Sequence, residues 1–270
     1  MNYTIVLNQV ISIVNRAGNR LIAEWQRPDG PRGFYDKADV DTEIECELRP
    51  ALLDLLACDF WGEETGSKLT GNQHCWVVDP NDGTADFLKG LKGSAISVGL
   101  LSQGCPVLGV VYAPVRAAGG PDCIAWAEGM KTIYRNGAQL ASSLATASLT
   151  PESRVMVSSA ASRKPAINAE LCAPATPAPT TSIAYRLAAV AAGDAVAGVS
   201  LVTTAAHDVL AGHAILRGAG GVLLDQDGQE ITYGSRSSLA VTSRRCFGGA
   251  LDACRELANR DWDRVFQKNV

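Results

Sequence analysis

Across residues 6–26 the apolar positions Ile13, Ala17, Leu21 and Trp25 recur every four residues, which places them on one face of an amphipathic helix. A second helical pattern covers 42–56, and Arg27-Pro28-Asp29-Gly30-Pro31-Arg32-Gly33 between them has the Pro and Gly density of a loop. The period then shortens. Apolar runs at 75–79, 94–101, 107–112 and near 123–127 predict strands, with a turn at Asn136-Gly137. Beyond Pro151 the pattern predicts a short strand at 154–159 and a loop over the Ala/Pro/Thr-rich stretch 173–181. An alanine-rich helix at 182–193, a short strand within 195–202 and a helix at 206–217 follow, then a strand at 222–225 closed by Asp227-Gly228. Residues 1–150 therefore read as a mixed α+β half and 151–270 as a smaller α/β half packed against it. No internal repeat interrupts this order.

The segment richest in chemistry is Asp79-Pro80-Asn81-Asp82-Gly83-Thr84. Cys75, Trp76, Val77 and Val78 form a buried strand that delivers Asp79 at its end. Pro80 and Gly83 turn the chain, and Thr84 opens a helix whose free amides would face an anion. Carboxylates this close repel one another. A hard divalent cation such as Mg2+ relieves the repulsion by taking carboxylate and carbonyl oxygens while keeping waters. A solvated Asp/Gly turn accounts for the same residues without a metal.

Two further acidic positions bear on that choice. Glu63 and Glu64 follow the aromatic pair Phe60-Trp61 about sixteen residues before Asp79, and Asp208 lies in the first turn of the 206–217 helix. An acid at 208 can cap its helix and still project a ligand oxygen; taken alone, a plain N-cap suffices. A solvated charge pair likewise suffices for Glu63 and Glu64.

In order and wording, Gly62-Glu63-Glu64, then Asp79 to Thr84, then His207-Asp208 with Ala219-Gly220-Gly221, the chain resembles the inositol monophosphatase superfamily. That superfamily includes inositol and sugar monophosphatases, fructose bisphosphatases and 3′(2′),5′-bisphosphate nucleotidases. The resemblance extends over Ala95-Ile96-Ser97-Val98-Gly99-Leu100 and Leu108-Gly109-Val110-Val111-Tyr112-Ala113-Pro114. It implies a layered αβαβα sandwich and Mg2+-dependent hydrolysis of a phosphomonoester by metal-activated water. Glu63, Asp79, Asp82 and Asp208 match side-chain metal ligands, and Asn81 matches a residue that contributes its main-chain carbonyl. Asp82, Gly83 and Thr84 match the phosphate-binding positions. Thr84 with Glu63 would orient and deprotonate water, and Asp41 would support the threonine; without the resemblance, Asp41 reads as an N-cap. Two Mg2+ ions are implied. The lysine loop that helps order a third is shortened, with Pro31 where the lysine usually stands and Lys37 as the nearest candidate. His207 replaces the usual tryptophan and is either a titratable group at the substrate pocket or a packing substitution. Lithium sensitivity and a homodimer are also implied.

Composition narrows the class of protein. The formal charge of -4, without a Lys/Arg run, argues against a nucleic-acid polymer as partner, so an anionic substrate must be attracted locally. No apolar run approaches membrane-spanning length. The eight cysteines lie in apolar segments without a C-x-x-C pair, and no signal sequence opens the chain, so reduced core thiols in a cytoplasmic protein are expected and zinc is not. His74 and His213 read as structural or pocket-rim residues.

The expected partner is a small phosphorylated metabolite. A polyol or sugar phosphate is preferred because 198–204 lacks the aromatic and basic residues that nucleotidases often place there. Against this, Asp86-Phe87-Leu88-Lys89-Gly90 resembles the bisphosphate-nucleotidase version of the motif. A catalytically silent binder of phosphorylated ligands is the remaining alternative.

Overall fold

The computed structural model describes residues 1–267, so positions 268–270 of the expected second half lie outside the described residues. Its larger sheet has eight strands in the order Ala138–Leu140, Ile133–Arg135, Asp122–Ala127, Cys105–Ala113, Ala95–Ser102, His74–Asp82, Asp59–Gly62 and Ser67–Lys68. Neighbours run antiparallel except 59–62 with 74–82, which are parallel. The strand His74–Asp82 explains why both faces of this sheet are covered. Trp76 and Val78 point to one hydrophobic core, Cys75 and Val77 to the other, so the run is apolar throughout rather than alternating.

Helices α1 (Tyr3–Trp25) and α2 (Asp39–Leu55) cover the first face. The buried stripe of α1 runs Leu7, Val10, Ile11, Val14, Ala17 and Leu21 and includes Ile13 at its edge, whereas Trp25 is only half-buried, beneath the Lys92 ammonium. The third helix, α3 (Thr84–Phe87), is a single turn capped at Leu88. In the second half come α4 (Pro165–Cys172), α5 (Ile183–Ala191) and α6 (Ala206–Gly218). Helices α5 and α6 fill the space between the large sheet and a five-stranded one. At Gly109 a Cβ would lie 2.2 Å from the carbonyl oxygen of Ala211, so only glycine lets α6 approach this closely.

The second sheet runs Thr176–Thr180, Arg154–Ser158, Ala197–Ser200, Cys246–Gly249 and Val222–Asp225. Helix α4 and the helix Leu251–Ala258 pack on strands of this sheet, completing the αβαβα layers expected from the resemblance.

Three expectations need correction. Residues 176–180 form a strand, not part of a loop: Pro177 and Pro179 are tolerated because the strand is an edge, paired on one side only. The strand carrying Asp79 continues through Pro80 and Asn81 to Asp82, with a break in register between Asp79 and Asp82, so Gly83 at φ 101° makes the turn without help from Pro80. The expected turn at Asn136-Gly137 forms, with both residues at positive φ joining 133–135 to 138–140. Of the cysteines, Cys46 and Cys105 are exposed and Cys58 is half-buried, so these three are not core thiols.

Candidate metal centre

Three segments far apart in the chain converge at one end of the large sheet. Asp79 and Asp82 leave the strand His74–Asp82, Asp208 leaves the first turn of α6, and each offers an oxygen within 4.8 Å of the others. Asp208 is the third residue of its helix rather than the N-cap, which is Ala205. Its carboxylate accepts the Ala205 N–H at 2.5 Å and so stabilises the helix start while facing the cluster. Asp82 is held from α5: Ser182 Oγ donates at 2.5 Å and the Ala184 N–H at 2.6 Å, both to Oδ2. Ser182 is itself the N-cap of α5, accepting from the Tyr185 N–H.

No arginine or lysine lies within ion-pair distance of these carboxylates among the described residues. Burial and mutual repulsion consequently raise all of them. Asp82 is pushed up to about 6, with Asp208 the main repelling charge, and burial lifts Asp208 to about 6. Asp79, fully enclosed, is raised well above the ordinary carboxylate value by burial and by Glu63, Asp82 and Asp208. Glu63 is raised to about 8 by burial, offset in part by a hydrogen bond with Asp79. The cluster is thus a set of hard oxygen donors short of positive charge, a composition that suits a divalent cation such as Mg2+.

Glu63 stands beside the cluster, outside the three acids that meet within 4.8 Å; its own N–H donates to Val78 O, tying 59–63 beside the Asp79 strand. A residue that the sequence reading did not single out fixes the loop that follows. Glu45, fully buried on α2, accepts from Glu64 N–H at 3.0 Å, Thr65 N–H at 2.6 Å and Thr65 Oγ at 2.6 Å. Glu64 points elsewhere and takes the Thr42 hydroxyl at 3.3 Å.

Behind the cluster, Asp41, Asn81 and Thr84 form a second group. Thr84 Oγ1 lies 2.9 Å from both Asp41 Oδ2 and Asn81 O, and the Asn81 amide donates to Asp41 Oδ1 at 2.9 Å. A hydroxyl carries one proton, so when Thr84 donates to the Asn81 carbonyl, Asp41 must hold a proton to complete the second bond. Burial raises Asp41 to about 7, where either arrangement is accessible. The Asn81 side chain is therefore part of this group alongside its carbonyl, and its Oδ1 is enclosed without a partner among the described residues.

His207 stands beside the cluster, Nε2 3.8 Å from Asp208 Oδ1 and 4.0 Å from Glu63 Oε1, with burial lowering its pKa. The other two histidines are structural: Tyr3 OH meets His74 Nε2 at 3.1 Å and Tyr233 OH meets His213 Nδ1 at 3.0 Å. In front of Asp82, Gly83 and Asp208 opens a cleft of about 870 Å3, walled by Lys89, Arg116 and Arg186 among others.

Comparison with known proteins agrees with this architecture. The model of the inositol monophosphatase family matches residues 9–258. Inositol monophosphatase 2 of Solanum lycopersicum is 31% identical over 195 residues, covering 68% of this chain and 72% of that protein. The probable inositol 1-monophosphatase ImpA of Mycobacterium tuberculosis is 36% identical over 89 residues, and that match spans 31% of this chain and only 33% of the relative. The extragenic suppressor protein suhB of Bartonella henselae superposes with a TM-score of 0.74 at 22% identity over 98% of this chain and 99% of that one, a likeness of fold. The chain belongs to the inositol monophosphatase family.

Proposed function

We propose that the chain is a Mg2+-dependent phosphomonoester hydrolase acting on a small phosphorylated metabolite. The observation that carries this reading is the convergence of Asp79, Asp82 and Asp208 within 4.8 Å with no lysine or arginine at ion-pair distance among the described residues, the more distant Arg186 offsetting only part of the rise at Asp82. Asp79, Asp82, Asp208, Glu63 and the Asn81 carbonyl would hold the ions. Bound Mg2+ supplies charge neutralisation for the phosphoryl oxygens and lowers the pKa of water.

The remaining work falls to the chain. Gly83 at positive φ reverses the backbone so that Thr84 and Ala85 present amides ahead of the first intrahelical bonds, where phosphoryl oxygens would be received. The Thr84 hydroxyl, shared between Asp41 and the Asn81 carbonyl, orients the attacking water and passes its proton toward Asp41. Holding the water and the phosphoryl group in line removes the need for a nucleophilic side chain. No phosphorylated residue should accumulate during turnover; trapping one would contradict this route.

A polyol or sugar phosphate is the first substrate reading. A 3′(2′),5′-bisphosphate nucleotide is the second, favoured by an apolar recess of about 250 Å3, bordered by Val199, Leu201 and Phe266, that adjoins the cleft. Phosphate release from inositol 1-phosphate, fructose 1,6-bisphosphate and 3′-phosphoadenosine 5′-phosphate, with and without Mg2+, tests the proposal. Release in Mg2+ that stops with chelator supports it, and release from none of them refutes it. Lithium inhibition, a homodimer and a cytoplasmic location belong to the same proposal, and light scattering tests the dimer. Among the described residues no helix is long and apolar enough to cross a membrane.

A further inference from the structure

The break in register between Asp79 and Asp82 decides which neighbours residue 81 meets. Along His74–Asp82, Cys75 and Val77 enter the core shared with α6, while Trp76 and Val78 enter the one beneath α2, so plain alternation would carry Asn81 to the side of Asp79. The extra residue at the break reverses that alternation. Asp82 comes round to join Asp79 and Asp208, and the Asn81 side chain turns to α2, where its amide donates to Asp41 Oδ1 at 2.9 Å. Residue 81 thus acts twice, because its backbone carbonyl separately meets Thr84 Oγ1 at 2.9 Å.

Asp41 is 2% exposed, so each of its oxygens needs a hydrogen-bond partner at hand. Oδ1 has the Asn81 amide and Oδ2 has the Thr84 hydroxyl at 2.9 Å. An amide nitrogen has only protons to offer, which confines Oδ1 to accepting; any proton that Asp41 takes up sits on Oδ2, the oxygen facing Thr84. Turned the other way, the amide would set its oxygen against Oδ1, acceptor against acceptor. In the orientation present, Asn81 Oδ1 is enclosed with no partner among the described residues. An unpaired buried carbonyl costs stability, and a hydrocarbon side chain of similar size would fill the space without that cost. What the amide adds is therefore at Asp41.

We infer that the Asn81 side chain is a positioning residue for the hydrolysis: by occupying Oδ1 it holds the Asp41 carboxylate with Oδ2 toward Thr84, so that the proton leaving the attacking water ends on one defined oxygen. This rests on the phosphomonoesterase reading. As the water oxygen bonds to phosphorus, its proton passes to Thr84 Oγ1 and the Thr84 proton passes to Asp41 Oδ2. The ester oxygen departs with its electron pair and is protonated from solvent. When product leaves, Asp41 returns its proton to solvent through the same hydroxyl. The Asn81 carbonyl, which would hold an ion, belongs to the backbone and survives any change of side chain, so the two contributions of residue 81 can be separated.

The test is a double-mutant cycle on wild type, Asn81→Leu, Asp41→Asn and the double variant. Phosphate release is followed at saturating Mg2+ on whichever of inositol 1-phosphate, fructose 1,6-bisphosphate and 3′-phosphoadenosine 5′-phosphate the wild type hydrolyses best, and Mg2+ affinity is measured by calorimetry. Asn81→Leu should lower kcat by roughly 10- to 100-fold while KM and Mg2+ affinity stay within about twofold. In the Asp41→Asn background the same substitution should cost nothing further, because the group through which it acts is already gone. An unchanged kcat in Asn81→Leu overturns the inference. So does a loss carried by KM or Mg2+ affinity, or one that multiplies with that of Asp41→Asn, either of which marks a structural role. Should Asn81→Leu fail to fold, Asn81→Ala removes the donor without crowding and carries the same cycle. If the wild type releases no phosphate from any compound, the phosphatase reading falls and takes this inference with it; a wild type that turns over with multiplying losses removes this inference alone.

Discussion

Two groups of buried acids in this protein have opposite surroundings. Asp122, fully buried on the large sheet, is surrounded by donors: Arg116 Nη1, Arg135 Nη2 at 2.7 Å and Nε at 3.0 Å, Tyr185 OH at 2.8 Å and the Asn136 amide at 2.9 Å. Arg135 also binds Asp194, joining the edge of the large sheet to the end of α5. Those hydrogen bonds and charges hold Asp122 below the usual carboxylate range even though burial pushes it the other way. Asp79 is as enclosed as Asp122, and Asp82 and Asp208 are half-buried, but none has an arginine at ion-pair distance among the described residues, and all three are raised instead. Burial is common to both groups; the counter-charge is not. Where the fold supplies cations, a buried acid is structural, and where it withholds them from several acids facing one point, the missing cation is expected from solution.

The largest effect should come from Asp79→Asn. Losing one metal-binding carboxylate is expected to remove about 4 kcal/mol of transition-state stabilisation, roughly 10³-fold in kcat/KM, measured by phosphate release at saturating Mg2+. The same change relieves repulsion, so the metal-free variant should melt above the metal-free wild type. Asp122→Asn should do the reverse, costing about 3–5 kcal/mol of stability by stranding its arginines, measured by urea unfolding with chelator present. If both substitutions shift stability in the same direction, the distinction between the groups fails.

Mg2+ at a hundredfold excess over its dissociation constant should raise unfolding free energy by about 2.7 kcal/mol in the wild type and far less in Asp79→Asn. The pH dependence separates the two groups again. Asp122 is lowered in the folded state, so its contribution is present above the unfolded carboxylate pKa of about 4 and lost as pH falls below it. The metal cluster is raised, so metal-free protein should lose stability as pH climbs from about 4 through the folded values of about 6 for Asp82 and Asp208. Mg2+ should suppress that loss, because the ligands must be deprotonated to bind it. The smallest expected change is Tyr185→Phe, which removes one donor from Asp122 and should cost about 1–2 kcal/mol without altering the Mg2+ dependence.

Much of this division was legible before any coordinates. The strand ending in Asp79 to Thr84 is a short-range pattern, and the Asp/Gly run announces closely spaced carboxylates. That Asp208 joins them, with Glu63 beside, depends on how α6 and the strand Asp59–Gly62 meet the central strand, and only the family resemblance suggested it. Periodicity carried no trace of the residues that fix the site. Glu45 holds the 63–65 loop from α2, Ser182 grips Asp82 from 100 positions away, and Arg186 turns from a helix toward the cleft. Ser182 did carry a local signal, since a serine before an alanine-rich run is a helix cap. The strand 176–180 was missed because proline argues against strands everywhere except an edge, and edges are a property of the sheet.

The most direct measurement is calorimetric titration of Mg2+ into metal-free wild type, Asp79→Asn and Asp122→Asn, with folding of each checked by circular dichroism. Binding by the wild type and by folded Asp122→Asn, and its loss in Asp79→Asn, is the predicted result. Equal binding by folded wild type and Asp79→Asn, or binding by neither, would contradict the claim that the acids at 79, 82 and 208 are completed by a divalent cation.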